Sequence, residues 1–182
     1  MQDFKELKQK IKSTEEWLGK EFGQIRTGRA TPAILDGVLV ESYGSQMPIT
    51  QLATVMSEDP RTLRISPWDA ANIKPIEKAI QISNLGLSVA VDDKGLRVSF
   101  PALTTESRNN FVKLAKTKLE EAKVALRQER NKVNEEQNTK KKDGAISEDE
   151  AARGRTEVDK LIKEASDKLD QIFGKKEKEI LQ

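Results

Sequence analysis

Two groups of basic side chains have the types and spacing to do chemistry in this 182-residue chain, and that chemistry is ionic. The stretch QIRTGRATP carries Arg26 and Arg29, and a second segment carries Lys116, Lys123, Arg127 and Arg130. A guanidinium offers a planar fork of donors that matches phosphate oxygens, whereas lysine acts as a point charge. Taken as a helix with Leu126 at zero, the second segment places Arg130, Lys123, Lys116 and Arg127 at about 40°, 60°, 80° and 100°. They form a stripe beside an apolar set that spans roughly −60° to +20°. The stripe reads either as a solvated flank, interrupted by Glu120 and Glu129, or as a ridge that contacts phosphates without reading bases. On the first helix, with Leu18 at zero, Arg26 lies at about 80°, flanking the seam, and Arg29 at about 20°, on the apolar face itself. Either that helix ends around Gly28, or the seam opens and Arg29 emerges at its tip.

Other chemistries lack their residues. The chain has no cysteine and no histidine, which removes disulfides, most zinc sites, thiol nucleophiles and imidazole catalysis. FGKKEK has a Gly-Lys pair without the upstream glycine or the following hydroxyl of a phosphate-binding loop. Asp92 and Asp93, followed by Lys94-Gly95, suit a hairpin turn better than a catalytic carboxylate pair. No metal site, no cofactor and no enzymatic activity are expected. The 32 basic and 30 acidic side chains leave a net charge of +2, so a nucleic-acid contact must come from local clustering. DFKELKQKI near the start reads as helix rather than signal sequence, and no run approaches the roughly 18 apolar residues of a membrane span. A soluble, cytoplasmic protein is expected.

The elements that must position these arginines follow from two compositions in one chain. All six prolines fall between Pro32 and Pro101, and residues 31–103 hold 14 of the 62 charged side chains. Outside that region, Phe4, Leu7, Ile11, Leu18, Phe22 and Ile25 mark one helix face. A second helix starts at LTTES, where Thr104 can cap, and runs through Phe111, Ala115, Leu119, Ala122, Leu126 and Val133 to about Lys142. KKKDGAISEDEA then reads as a stop at Gly144 and a restart with Ser147 and Glu150 as a capping box. Val158, Ile162, Ala165, Leu169, Ile172 and Ile180 carry the third stripe. None of the three can hide its stripe alone, so a three-helix bundle is expected. Between its first and second helices, VLVESYG, LATVM, TLRIS, LSVAV and LRVSF read as strands, with DDKG as a hairpin turn between the last two. Asp69 to Ser83 reads as a helix, with Pro75 pushing its regular part later. The fold class is therefore α+β: a bundle of residues 1–30 and 104–182, with an inserted domain over 31–103. The chain crosses between them at Ala30 to Pro32 and at Pro101 to Thr104, and two neighbouring crossings allow a hinge.

IRTGRATPAILDGVLVESYG, PITQLATV, EKAIQISNLGL, PALTTESR and VALRQER, in this order, closely resemble the bacterial ribosome recycling factor family over essentially the whole chain. The resemblance implies an L-shaped molecule, a long three-helix bundle with a small β/α/β sandwich hung from one end. It implies a partner set of the ribosome, chiefly large-subunit rRNA, and elongation factor G, whose GTP cycle drives the post-termination ribosome apart and releases mRNA and deacylated tRNA. The factor itself would be a monomer and no enzyme. Carried onto this chain, Arg26 and Arg29 match the family's motif and Arg127 and Arg130 its rRNA-contacting arginines; with Lys116 and Lys123 of the basic stripe, the expected rRNA-binding set is Arg26, Arg29, Lys116, Lys123, Arg127 and Arg130. The hinge set is Gly28, Arg29, Ala30, Thr31 and Pro32 with Pro101, Ala102, Leu103, Thr104 and Thr105. The chain departs from the family pattern at Thr105, Ser107, Glu129 and Asn131. The rival reading is a structural or chaperone-associated helical adaptor that oligomerises through its long helices.

Overall fold

A computed structural model describes residues 4–182. Its elements in chain order are α1 (Lys5–Gln24), β1 (Leu39–Ser42), β2 (Ser45–Pro48), β3 (Ala53–Asp59), β4 (Thr62–Pro67), α2 (Ile73–Ile82), β5 (Ser88–Asp92), β6 (Gly95–Ser99), α3 (Thr105–Lys142) and α4 (Glu148–Leu181). The fold is α+β, with long helices and a small sheet. The chain divides into two compact units, one of residues up to Phe22 with Lys113–Glu177, the other of Gly23–Val112 with Lys178–Gln182.

The first unit is helical. Leu7, Leu18 and Phe22 of α1 are buried, as are Ala115, Leu119, Ala122 and Leu126 of α3 and Val158, Ala165 and Leu169 of α4. Spacings of three and four keep each set on one face. Phe22 meets Phe173 with ring centroids 6.4 Å apart. Ion pairs flank the seams: Lys118 to Glu21 at 3.1 Å and Lys123 to Asp170 at 2.7 Å, with Lys168 on Glu15. The buried stripe of α3 continues beyond Leu126 to Gln137, a polar residue that the apolar pattern had omitted.

The connection between α3 and α4 follows its sequence signals. Gly144 N–H donates to Lys141 O at 3.1 Å and Ala145 N–H to Lys140 O at 2.9 Å, closing the last turn of α3. Glu150 N–H then donates to Ser147 Oγ at 3.2 Å, while Ser147 N–H donates to Glu150 Oε2 at 2.8 Å. That reciprocal pair satisfies two donors at the start of α4.

In the second unit the sheet order is β3-β4-β6-β5, all antiparallel, and β1 pairs with β2 as a separate hairpin. Leu63 and Ile65 of β4 alternate with Arg64, and Leu96 and Val98 of β6 with Arg97, so one face is apolar. That face forms a core with Ile76 and Ile80 of α2 and with Val40 and Ile49. Two local expectations shift. VLVESYG is not one strand: it ends at Ser42, and Tyr43 and Gly44, both at positive φ, turn the chain into β2. The helix expected from Asp69 starts as a short 3-10 turn, Ala70–Asn72, capped by Asp69 Oδ1 on Ala71 N–H at 2.9 Å. The regular helix begins at Ile73, so Pro75 sits in its first turn, where a missing N–H leaves no bond unmade.

The outer face of the sheet holds a charge network. Arg64 and Arg97 are directly paired across β4 and β6, an arrangement that repels unless neutralised. Asp92 accepts from Arg64 at 2.5 Å, and Glu58 accepts from Arg97 at 2.5 Å and lies 3.4 Å from Arg64. The bond from Arg97 holds the Glu58 carboxyl below its ordinary range, and the bond from Arg64 does the same for Asp92. A carboxylate whose pKa falls on folding stabilises the native state above its unfolded value and loses that contribution as pH drops through the folded one. The unit is therefore expected to lose stability as pH falls below about 4. In Glu58→Gln the acid limb of a urea-midpoint profile should flatten; an unchanged limb would show the pairs contribute nothing.

Candidate nucleic-acid interface

The structure sorts the sequence-derived arginines and lysines into different roles. On α3, in the helical unit, Lys116 and Arg127 are exposed, and neither side chain has a hydrogen bond or ion pair among the described residues. Lys123 is half-buried and engaged with Asp170. Arg130 is half-buried too; one terminal nitrogen donates to Asn131 Oδ1 at 3.3 Å and its Nε is buried without a partner. Asn131, a departure from the family pattern, thus gives Arg130 a local acceptor. The ridge consists of two unengaged cations, one loosely held arginine and one lysine that would have to leave a carboxylate.

The QIRTGRATP stretch lies in the second unit, and its two arginines part company. Helix α1 stops at Gln24, four residues before Gly28, so the angular reading of Arg26 and Arg29 no longer applies. Arg29 is exposed. Arg26, read from the sequence as a flanking surface charge and a candidate rRNA contact, is instead 6% exposed. Its guanidinium donates to Leu85 O at 3.2 Å, to Gly86 O at 2.9 Å and to Pro101 O, and lies 5.8 Å from the Phe100 ring centroid. Desolvation pushes its pKa down, though an arginine remains charged at neutral pH. Three carbonyls and an aromatic face substitute for water around a cation. This geometry withdraws Arg26 from the phosphate-contacting set and makes it a tie between segments far apart in sequence. Gly86 belongs to that tie: its φ is +64°, and a Cβ there would meet an Arg26 terminal nitrogen at 3.0 Å.

The two crossings have defined local structure. Thr31 is extended at φ −118° and ψ 133°, as the residue before a proline should be. Ala30 N–H donates to Pro60 O and Phe100 N–H to Arg61 O, each at 2.8 Å, so the β3–β4 turn is bonded to the first crossing and to the residue that precedes the second. At the return crossing Thr104 caps α3, accepting from Ser107 N–H at 3.1 Å and donating to Ser107 Oγ at 2.9 Å. Ser107, another departure, completes that cap. The sequence reading passes over the carbonyls that hold Arg26 and over Arg61, whose backbone bonds Phe100 and Asp59.

Comparison with known proteins gives this geometry its context. A family model described as "Ribosome recycling factor" matches residues 18–181. The chain belongs to the ribosome recycling factor family. Similar ribosome-recycling factors include that of Solidesulfovibrio magneticus, 46% identical over 98% of this chain and 97% of the relative, and that of Carboxydothermus hydrogenoformans, 45% identical over 97% and 96%. Among solved structures, the solution structure of a ribosome recycling factor matches with TM-score 0.74 and 35% identity, covering 98% of this chain and 95% of that one. A T. thermophilus ribosome recycling factor, described together with E. coli elongation factor G bound to the E. coli post-termination complex, matches with TM-score 0.67 and 38% identity, over 97% and 96%. Ribosome recycling factors are translation factors of protein biosynthesis, not enzymes. Membership over nearly the whole chain replaces the reading as a helical adaptor. Among the described residues no group of side chains is arranged to hold a metal ion, and no helix is long and apolar enough to cross a membrane.

Proposed function

We propose that this protein acts in the cytoplasm on the ribosome left after termination and, with elongation factor G, separates it into subunits, freeing mRNA and deacylated tRNA. GTP is hydrolysed by the partner, and the protein needs no cofactor of its own. The observation that carries this reading is whole-length membership in the ribosome recycling factor family, supported by the T. thermophilus relative described with elongation factor G. In this reading Lys116, Arg127 and Arg130, joined by Lys123 once it leaves Asp170, contact phosphates of large-subunit rRNA, and Arg29 does so at the crossing. The protein works as a monomer. The domain of residues 1–30 and 104–182 holds the rRNA while the domain of 31–103 moves about Gly28 to Pro32 and Pro101 to Thr105, driven by the translocase. Work enters through the partner's nucleotide cycle and is transmitted by two short crossings.

The test is splitting of post-termination ribosomes followed by light scattering, with elongation factor G and GTP present. No stimulation by this protein would defeat the proposal. Arg127→Ala combined with Arg130→Ala is expected to weaken ribosome binding more than tenfold and to reduce the slope of log affinity against log salt by about two, since each released phosphate contact contributes about one. Both positions keep helix-forming residues, so the urea midpoint should hold. An unchanged slope would remove the phosphate role from the ridge.

A further inference from the structure

The second unit contains a cavity of about 570 Å³ lined by Arg29, Arg61 and Arg108, with Glu179 the carboxylate among its lining residues. Its lining side chains thus hold more basic than acidic groups. The three arginines are not equivalent. Arg108 donates to Leu181 O at 2.6 Å and to Ile180 O at 3.4 Å, so it is held as part of the wall. The guanidiniums of Arg29 and Arg61 are exposed and make no hydrogen bond or ion pair among the described residues.

Their backbones, by contrast, are held firmly. Ala30 N–H on Pro60 O joins the β3–β4 turn to the first crossing, Phe100 N–H on Arg61 O joins it to the residue before the second, both at 2.8 Å, and Arg61 N–H donates to Asp59 Oδ1 at 2.7 Å. A surface arginine that serves solubility has no need of a fixed backbone beside a second unpaired arginine. Two forks on neighbouring bonded backbone, with their donors open, form a site for an anion that can accept from both. The cavity is much larger than a lone phosphate, and it suits a length of sugar-phosphate backbone.

We propose that Arg29 and Arg61 together clamp one phosphodiester of the ribosomal RNA in this cavity, with Arg108 as its fixed basic wall. The inference rests on the ribosome-binding reading above and adds Arg61, a residue of the β3–β4 turn, to the contact set. Through the bond of Ala30 to Pro60, a phosphate held there also fixes the first crossing. The site would thus report ribosome contact to the segment about which the domains move.

Ribosome binding of the full chain, measured from 50 to 200 mM salt, tests this directly. Arg61→Ala is expected to lower the slope of log affinity against log salt by about one. Arg29→Ala should do the same, and the double variant should weaken binding by less than the product of the two single effects, because both arginines serve one phosphate. Arg61→Lys should restore the slope, as charge is retained, and only part of the affinity, as the fork is lost. The side chain of Arg61 makes none of the bonds that hold the turn, so the urea midpoint should not move; Arg61→Gln, which keeps more of the stem, provides a second reading of the slope. If Arg61→Ala and Arg61→Gln leave the slope unchanged while the Arg127 and Arg130 variant lowers it, the clamp is overturned and the ridge stands. If the parent protein does not bind ribosomes, the functional reading itself fails. If Arg61→Ala instead weakens binding to elongation factor G alone, with the ribosome slope intact, the occupant is an acidic protein segment and the RNA assignment is wrong.

Discussion

Replacing Arg26 with methionine is expected to destabilise the α+β unit by about 3 kcal/mol, because it removes a buried charged donor from three backbone carbonyls at once. Methionine keeps much of the stem's volume, so the loss reads the hydrogen bonds more than a cavity. Arg26→Lys should recover roughly half, since one ammonium cannot reach Leu85 O, Gly86 O and Pro101 O in the fork's geometry. Unfolding of a chain with two compact units need not be a single transition. Hydrogen exchange should therefore accompany urea titration, with the Ala30 and Phe100 amides, bonded to Pro60 and Arg61, as reporters of this region. A change below about 0.5 kcal/mol in both variants would mean that Arg26 behaves as an ordinary surface charge. Arg26→Met should also leave the salt slope of ribosome binding untouched where the protein stays folded, which separates a tie within the protein from a phosphate ligand.

Arg26 also shows where sequence reasoning stops. Its helical angle presumes a helix through residue 26, whereas α1 ends at Gln24, so the angle describes a geometry the chain does not adopt. Its acceptors are backbone carbonyls 59 to 75 residues away, and a carbonyl has no residue type to read. The features that were legible are local and written in side chains: the Ser147 and Glu150 box, the Thr104 cap, the apolar stripes and the Asp92 to Gly95 turn. The pairing of Lys123 with Asp170 was invisible because it joins two helices through a single contact, and each residue alone looks solvated. Strand β2 was missed for another reason. SQMP has neither apolar alternation nor β-branched residues, and it pairs as half of a two-stranded hairpin whose signal is the turn at Tyr43-Gly44. Among candidate site residues, the exposed ridge positions could be found from spacing because exposure on a helix is periodic. Arg61 could not, because its significance lies in which backbones its turn touches.

The glycine of the DDKG turn is expected to tolerate substitution even less well than the turn alone requires. Gly95 has φ +125°, a region L side chains rarely adopt, and a Cβ built on it would lie 2.3 Å from Ile65 O and 3.0 Å from Pro67 Cδ. Ile65 is paired with Leu96, the next residue, so its carbonyl is in the ladder and cannot retreat without breaking strand contacts. Both Ile65 and Leu96 are fully buried in the core under α2. Gly95→Ala should therefore cost about 3 kcal/mol or more, the sum of a strained φ and a backbone displacement in a central strand pair. Asp93→Ala, two residues earlier at the same turn, provides the contrast: Lys94 N–H donates to Asp92 Oδ1 rather than to Asp93, and the expected change is within about 0.5 kcal/mol. Equal stability of the two variants would show that the close approach at Gly95 relaxes without penalty. If the large loss is found, it should remove the outer charge network as well, because Arg64 and Arg97 face each other only while β4 and β6 hold their register. The acid sensitivity carried by Glu58 and Asp92 would then disappear together with the stability of the sheet, which ties the electrostatics of the outer face to the close backbone approach at Gly95.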